Sequence, residues 1–320
     1  MNCPVCLDPA TVPALTGTDF LFETTPRTFH LSRCAACDSL FLDPLPEPAE
    51  IATFYPPTYW WKSSSTVLKR FEMLYRRAVL RDHFTFIVKA ARHVPPGPRP
   101  LRLLDVGCGS GTLLGLLKTQ GFDVLGLDYS REAADIASLE NAVQVVVGSL
   151  DEAHFEDASF DLVTLFHVME HVPNPREVAA EIRRILKPSG RLVIQVPNIG
   201  SWQYRLFGEK WYGLDIPRHV IDYSNRSMQE LLRRGGFGVH RVRHFNLRDN
   251  AQALASTLAP SLDPVSRAVR KRRHGTEEST LGAWARHLVY LGVVLSVSPF
   301  AIAEAAVGSG ATIMIEAAKA

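Results

Sequence analysis

Leu103-Leu104-Asp105-Val106-Gly107-Cys108-Gly109-Ser110-Gly111 is the stretch that decides the fold. Residues 101–106 form a short apolar run, rich in branched side chains, that ends abruptly in glycines, as a buried parallel strand does. Gly107, Gly109 and Gly111 then open a tight turn, because a backbone without Cβ takes dihedrals closed to other residues and lets a ligand lie against it. Residues 112–119 resume at helical spacing through Leu113, Leu114, Leu116 and Leu117, so the turn joins a strand to a helix. A second apolar run, 122–127, delivers Asp128 at its carboxyl end, where doubly wound sheets set an acidic side chain against the two hydroxyls of a ribose.

The chain continues in alternation. A helix is expected near 130–141, strands at 143–147 and 160–166, a helix near 175–186 and a strand at 191–196, which together imply a parallel, doubly wound sheet. A helix over 227–234, a strand after Gly235-Gly236 and a last strand near 311–317 complete it. No internal repeat or low-complexity tract appears.

The glycines discriminate between nucleosides. The interval from Gly107 to Asp128 fits the roughly 20 residues of a dinucleotide fold, but a dinucleotide loop has the form G-x-G-x-x-G so that a helix amino-terminus faces the pyrophosphate. Here the third glycine comes one residue early and position 112 is Thr. Asp105 would also stand poorly beside a diphosphate, whereas its charge suits an ammonium and a sulfonium. The loop therefore favours S-adenosylmethionine over a nicotinamide cofactor.

With these residues in place the chain resembles the class I S-adenosylmethionine-dependent methyltransferases, particularly the ubiquinone-methyltransferase-like branch. The resemblance runs over 101–198 and weakens beyond. Ser159-Phe160-Asp161-Leu162-Val163 and His167-Val168-Met169-Glu170-His171-Val172 look like that branch's fourth strand and following turn, and Lys187-Pro188-Ser189-Gly190-Arg191-Leu192-Val193-Ile194 like the helix end and fifth strand. It implies a Rossmann-like sheet of seven strands with the last antiparallel. It further implies a cofactor site made of Asp105, Gly107, Cys108, Gly109, Gly111, Asp128, Tyr129, Ser149, Leu150 and His167. Gly148-Ser149-Leu150 departs from relatives that carry an aspartate for the adenine amine, a contact Ser149 replaces only in part. Cys108 reads most simply as a small residue that fits the loop.

At 320 residues the chain accommodates one full α/β domain and a smaller module. A formal net charge of +2 argues against bulk nucleic-acid binding. The amino-terminus is polar and rich in Cys and Pro, unlike a signal peptide, which predicts a cytoplasmic setting. Cys3-x-x-Cys6 and Cys34-x-x-Cys37 are matched pairs whose spacing lets four thiolates converge on one structural zinc; a segment of about 45 residues needs such a staple. Disulfides are the alternative, disfavoured in a reducing compartment. The resemblance implies the same, since many members of the branch carry a zinc-ribbon-like module before the catalytic domain.

The expected organisation is a zinc-ribbon-like module at 1–45, a linker and helical region at 46–100 and a methyltransferase domain at 101–320. Asp43-Pro44-Leu45-Pro46-Glu47-Pro48 is a stiff linker, because proline fixes φ and extends its predecessor. Tyr55, Tyr59, Trp60 and Trp61 either bury the ribbon against the larger domain or wall the acceptor site; packing is the plainer reading. Residues 66–93 read as one helix or two, with Phe71, Leu74 and Ala78 on one stripe and Leu80, Phe84, Ile87 and Ala91 on another.

Methyl transfer from a sulfonium needs acceptor and methyl held in line and, for a hydroxyl acceptor, a base. Candidates lie beyond strands four and five: His167, Glu170 and His171 after the fourth, and His219 in Trp211-Tyr212-Gly213-Leu214-Asp215-Ile216-Pro217-Arg218-His219, a block that also looks like one recurring in the branch. His219 is the favoured base or acceptor-binding residue; His167 reads as catalytic or as packing beside the cofactor, and His171 as a local hydrogen-bonder.

The insertion 246–309 is the least explained part. Arg267, Arg270, Lys271, Arg272 and Arg273 concentrate positive charge, usually a solvated helix face. Residues 288–303 carry no charge but fall short of the roughly 20 that span a bilayer. They read as a buried helix or homodimer contact, or, with the basic run, as a peripheral contact through 267–303 with the inner membrane face, where lipid-linked acceptors would be met. The sequence thus points to methylation of an oxygen or carbon of a small-molecule, glycan or lipid-linked acceptor. A non-catalytic regulator that recruits a partner through its ribbon is the rival, and an NAD-dependent oxidoreductase a weaker one.

Overall fold

The computed structural model describes residues 1–55, 79–97, 99–246, 249–274 and 280–320. Strands β1 (Thr11–Thr18), β2 (Thr28–Cys34) and β3 (Leu40–Leu42) form an antiparallel meander. Helix α1 (Pro48–Thr53) follows, its proline in the first turn where no backbone donor is needed. Tyr59, Trp60, Trp61, Phe71, Leu74 and Ala78 lie outside the described residues. Of the helix expected over 66–93, the described part is α2 (Arg81–Ala91), which buries His83, Phe86, Ile87, Ala90 and Ala91 on one face.

The expected strand-turn-helix appears as β4 (Arg102–Val106) and α3 (Thr112–Lys118), followed by β5 (Asp123–Asp128), α4 (Arg131–Asn141), β6 (Val145–Val147), β7 (Phe160–Phe166), α5 (Pro175–Ile185) and β8 (Leu186–Pro197). β8 starts earlier than the periodicity predicts: Pro188 bars another helical turn, and the chain runs extended from Leu186, pairing with Phe160 before a register shift. Then come α6 (Trp202–Phe207), β9 (Ile221–Asp222), α7 (Asn225–Arg234), β10 (Phe237–Arg243), α8 (Asn250–Leu258), α9 (Pro264–His274), α10 (Thr280–Ala306) and β11 (Thr312–Lys319).

The main sheet has seven strands in the order β10-β11-β8-β7-β4-β5-β6. β4 through β8 pair parallel, and β11 lies antiparallel to both neighbours, the Rossmann-like arrangement expected. The order of connection reverses on either side of β4, between β5 and β7, and in such sheets the crevice beyond the carboxyl ends at that point receives the ligand. All of the glycine loop, Asp128 and His167 stand at those ends.

The four-cysteine module is not sealed off from this sheet. Its own sheet reads β1-β2-β3-β9, and β9 comes from the distant insertion after β8, with Phe41 opposite Ile221 and Leu40 opposite Asp222. One hydrophobic cluster runs from Cys3, Phe41 and Trp211 through Ile221 to Leu165 and Val196.

Helix α10 is longer than the apolar window 288–303, continuing through Gly292 and Pro299. One side is held down by Tyr290, whose hydroxyl meets Ser256 Oγ at 2.7 Å, and by Glu304, which accepts from Gln203. The other side exposes Trp284, Leu288, Leu291, Leu295 and Ile302. Its 282–306 stretch is long and apolar enough to cross a membrane by length and composition. The side chains of Arg270, Lys271, Arg272 and Arg273 lie outside the described residues.

Candidate functional site

The glycine loop is built from bonds to the next strand. Gly107 N–H donates to the Leu127 carbonyl at 2.7 Å and Cys108 N–H to the same oxygen at 3.2 Å. All three loop glycines have positive φ, of 72°, 53° and 68°. Their surroundings differ. A Cβ on Gly107 would stand 2.5 Å from Val168 Cγ2 and one on Gly111 2.8 Å from Ala137 Cβ, so these two permit packing, whereas one on Gly109 would meet nothing within 4 Å. Gly109 faces the open crevice, the place where a ligand approaches the backbone. Cys108 points away from it: a Cβ on Gly126 would lie 2.5 Å from Cys108 Sγ, so the thiol fills a notch in β5 and offers the crevice only its backbone.

Asp105 is buried and accepts from Thr164 Oγ1 at 2.5 Å; burial lifts its carboxyl to about 7, and the negative charge of Asp128 adds to the rise. Asp128 accepts from Gly109 N–H at 2.8 Å and Ser130 N–H at 2.9 Å, yet burial still holds its carboxyl above the ordinary value. No cation offsets either group among the described residues. A ligand carrying positive charge would supply what the pair lacks.

The remaining predicted contacts are less uniform. Tyr129 follows Asp128 on the crevice rim and is largely exposed. Gly148 N–H bonds the Asp128 carbonyl at 3.0 Å, which brings Ser149 and Leu150 alongside. Ser149, however, donates its hydroxyl to Glu152 at 2.7 Å, and Leu150 is buried in the core.

The acceptor side begins at His167, a non-glycine residue at φ 56° directly after β7. Its Nδ1 contacts Glu170 Oε1 at 3.1 Å and its Nε2 contacts Asp249 Oδ2 at 3.2 Å. Burial alone would lower its pKa, but Asp249 and Glu170 outweigh burial and raise it to about 10, which favours the charged ring. An imidazolium is an electrostatic group and hydrogen-bond donor rather than a base. His171 is opposite in character: burial and neighbouring His219 push it down to about 4, and Nδ1–H donates to the Arg218 carbonyl at 2.9 Å beside the Tyr55 hydroxyl.

His219 stacks edge-on against His171 with ring centroids 4.8 Å apart. Its Nδ1–H donates to the Gly213 carbonyl at 3.0 Å, and the Asp222 carboxylate stands 3.5 Å from the same nitrogen. Nε2 has no partner among the described residues. Burial opposes the charged ring, but Asp222, Glu170 and Asp215 lift the His219 pKa above its ordinary value, while burial lifts Asp222 to about 6. One Glu170 oxygen is also buried without a hydrogen-bond partner. With Nδ1 engaged by the Gly213 carbonyl beside the Asp222 carboxylate, the other ring nitrogen of this buried histidine is left to serve as a general base. Val168, on the turn that carries Glu170 and His171, packs on Gly107 and thereby ties this group to the glycine loop.

Thr164, Asp222, Asp249 and Gln195, whose amide lies 2.8 Å from His167 Nε2 and donates to Asp249 at 2.6 Å, escaped the sequence reading. Each is brought in from another element, and no local motif marks it.

The four predicted metal-site cysteines converge. Cys3, Cys6, Cys34 and Cys37 are buried, with their sulfurs within 4.8 Å of one another. The two C-x-x-C turns match: Leu7 N–H bonds the Cys3 carbonyl and Asp38 N–H the Cys34 carbonyl, both at 2.9 Å, and Leu7 and Asp38 both have positive φ. Sulfur contacts of 3.5 and 3.6 Å are close to the roughly 3.8 Å separation of thiolates at tetrahedral Zn–S bonds of about 2.3 Å.

The chain has relatives among known proteins. Over 131 residues the chain is 35% identical to the ubiquinone biosynthesis O-methyltransferase of Paraburkholderia phymatum, a match covering 38% of this chain and 56% of that protein. It is 29% identical over 187 residues to the protein of the same name from Aliivibrio fischeri, covering 56% of this chain and 76% of the relative. The chain thus spans little more than half the length of the first of these relatives. Among solved structures it is similar to a SAM-dependent methyltransferase from Archaeoglobus fulgidus, with 19% identity, TM-score 0.49, and coverage of 79% of this chain and 99% of that one. The family described as "Methyltransferase domain" matches residues 74–242, more than half of the chain, and the chain belongs to that methyltransferase family.

Proposed function

We propose that this protein is an S-adenosylmethionine-dependent methyltransferase acting on a hydroxyl oxygen of a small-molecule or lipid-linked acceptor. The observation that carries the reading is the pair of buried carboxylates, Asp105 and Asp128, that flank the glycine loop with no cation beside them among the described residues. S-adenosylmethionine, when bound, supplies an electrophilic methyl on a positively charged sulfur. Asp128 would accept from its ribose hydroxyls, Asp105 would face its ammonium, and Gly109 leaves room for it. His219 Nε2 would take the acceptor's hydroxyl proton while the oxygen forms its bond to the methyl carbon and the S–CH3 electron pair returns to sulfur. His167, as a cation, would orient acceptor or cofactor.

Oxygen is preferred over carbon because the names of the relatives describe O-methyltransferases and because a placed base serves a hydroxyl. Four converging thiols support a structural zinc. The apolar outer side of α10, preceded in sequence by the basic run, supports a peripheral contact with an anionic membrane on the cytoplasmic side. Incubation with methyl-labelled S-adenosylmethionine and dihydroxybenzene probes or lysate fractions tests the reading, with labelled methyl ether as the expected product. Donor binding without transfer to any fraction would favour the regulatory alternative.

A further inference from the structure

We propose that the amino-terminal ribbon is part of the acceptor site, and that Asp19, acting through Arg218, is a positioning residue for His171 and His219. This rests on the reading above that His219 faces the acceptor. Arg218 is fully buried, although it sits one residue from His219 in a connecting segment. Its guanidinium donates to both oxygens of Asp19, at 2.8 and 3.1 Å, to Asp215 at 2.6 and 3.0 Å, and to the Phe54 carbonyl at 3.1 Å. The Phe22 ring lies 4.3 Å from Cζ. Three of these groups, Asp19, Phe22 and Phe54, come from the segment before the catalytic domain.

Asp19 is itself rigid. It accepts from Phe22 N–H at 3.0 Å and from the Thr24 backbone and hydroxyl at 2.8 and 2.6 Å. The grip reaches the histidines directly: the Arg218 carbonyl accepts from His171 Nδ1–H at 2.9 Å, and the Asp215 carbonyl accepts from both Arg218 and His219 N–H. On the other side of His219, Val220 donates to the Glu170 carbonyl at 2.8 Å and accepts from Leu42 of the ribbon at 3.0 Å. His219 is therefore clamped on both flanks by ribbon contacts, one ionic and one a strand extension.

A buried, forked ion pair is an inefficient way to glue two surfaces together, since burying both charges costs much of what their attraction returns. Its directionality is what it adds, because a bidentate guanidinium–carboxylate pair fixes angle as well as distance. The loop 107–111 draws its hydrogen bonds from β5 and Asp128 and meets the histidine group only through the Val168 side chain, so a loosened clamp is expected to change cofactor binding little.

The test uses the full zinc-loaded chain with Asp19→Asn and Asp19→Glu. The readouts are calorimetric affinity for S-adenosylhomocysteine, NMR of 13Cε1-labelled histidines, and methyl transfer to a dihydroxybenzene probe. Asp19→Asn is expected to leave the cofactor-product affinity within twofold, to displace and broaden the His171 and His219 signals, and to lower kcat/KM at least fivefold, with Asp19→Glu recovering part of each. Histidine signals that superpose on those of the wild type would overturn the proposal. So would loss of cofactor affinity in parallel with the histidine changes in both variants, because the pair would then be a general strut. If the wild-type chain itself gives no heat with S-adenosylhomocysteine, the methyltransferase reading fails, while the histidine spectra still decide whether the ribbon positions the pair.

Discussion

Replacing Asp105 by Asn should make the ligand-free protein more stable and the site unable to bind. The carboxyl ionises near pH 3.8 ordinarily and near 7 in the fold, because burial beside Asp128 disfavours its charge. A folded-state value raised above the unfolded one means stability fully present below about pH 4 that is lost as pH rises, with the loss complete above about 7. At about 1.4 kcal/mol for each tenfold change in proton affinity, the penalty at pH 8 reaches roughly 4 kcal/mol as an upper figure. Asn keeps the acceptor oxygen that Thr164 Oγ1 bonds and is close to isosteric, so removing the charge should recover most of that penalty. Melting followed by circular dichroism from pH 4 to 8 should show the variant drawing ahead of wild type as pH rises, by roughly 5 to 10 °C at pH 8. Calorimetry should show the opposite for binding, with S-adenosylhomocysteine affinity reduced at least about tenfold, the loss of one hydrogen bond to a charged group. In the wild type, the ligand's ammonium should drive Asp105 to ionise, so the measured heat near pH 7 should vary with the buffer's protonation enthalpy. An Asp105→Asn protein that melts below wild type at pH 8, or binds as well as it does, would refute the reasoning.

Other outcomes follow from the same geometry. Gly111→Ala must place a Cβ 2.8 Å from Ala137 at positive φ and should cost a few kcal/mol in urea unfolding, by adding about 1–2 kcal/mol of backbone strain to overpacking, while Gly109→Ala should weaken S-adenosylhomocysteine binding with little effect beyond the strain. His219→Ala should lower kcat by about 10²–10⁴-fold with cofactor binding unchanged. The wild-type rate should fall as pH drops through a midpoint above the ordinary histidine value of about 6.5, and Asp222→Asn should move that midpoint down, since burial would then dominate. Elemental analysis should find one zinc per chain, and a strong chelator should lower the melting temperature; zinc-free protein that melts unchanged would speak against the metal. Cosedimentation with phosphatidylglycerol vesicles should weaken with salt and with Leu288→Glu/Leu295→Glu, and absence of binding at low salt would remove the membrane contact.

How much of this could be read from the chain depends on distance along it. The loop at 107–111, the strands around it and Asp128 are signalled locally, by periodicity and by glycines whose φ is positive, and the sheet follows from their alternation. The four cysteines are legible because zinc knuckles repeat a short spacing. What stayed hidden is carried by long-range partners. Asp249 holds His167 from across 82 residues, and Asp19 holds Arg218 across 199, with no pattern in either segment to announce the pairing. A two-residue strand such as β9 has no periodicity, so its joining of the ribbon sheet is a purely tertiary fact. Cys108 and Ser149 sit where the resemblance places ligand contacts, but a notch at Gly126 and the carboxylate of Glu152 take up their side chains.

The central claim is that the loop between Asp105 and Asp128 seats a sulfonium nucleoside. Isothermal titration of the purified, zinc-loaded chain with S-adenosylhomocysteine at pH 7.5, with NAD titrated in parallel, tests it most directly. Saturable binding at one site per chain for the first and none for the second is the predicted result; no heat from S-adenosylhomocysteine, or tighter binding of NAD, would contradict it.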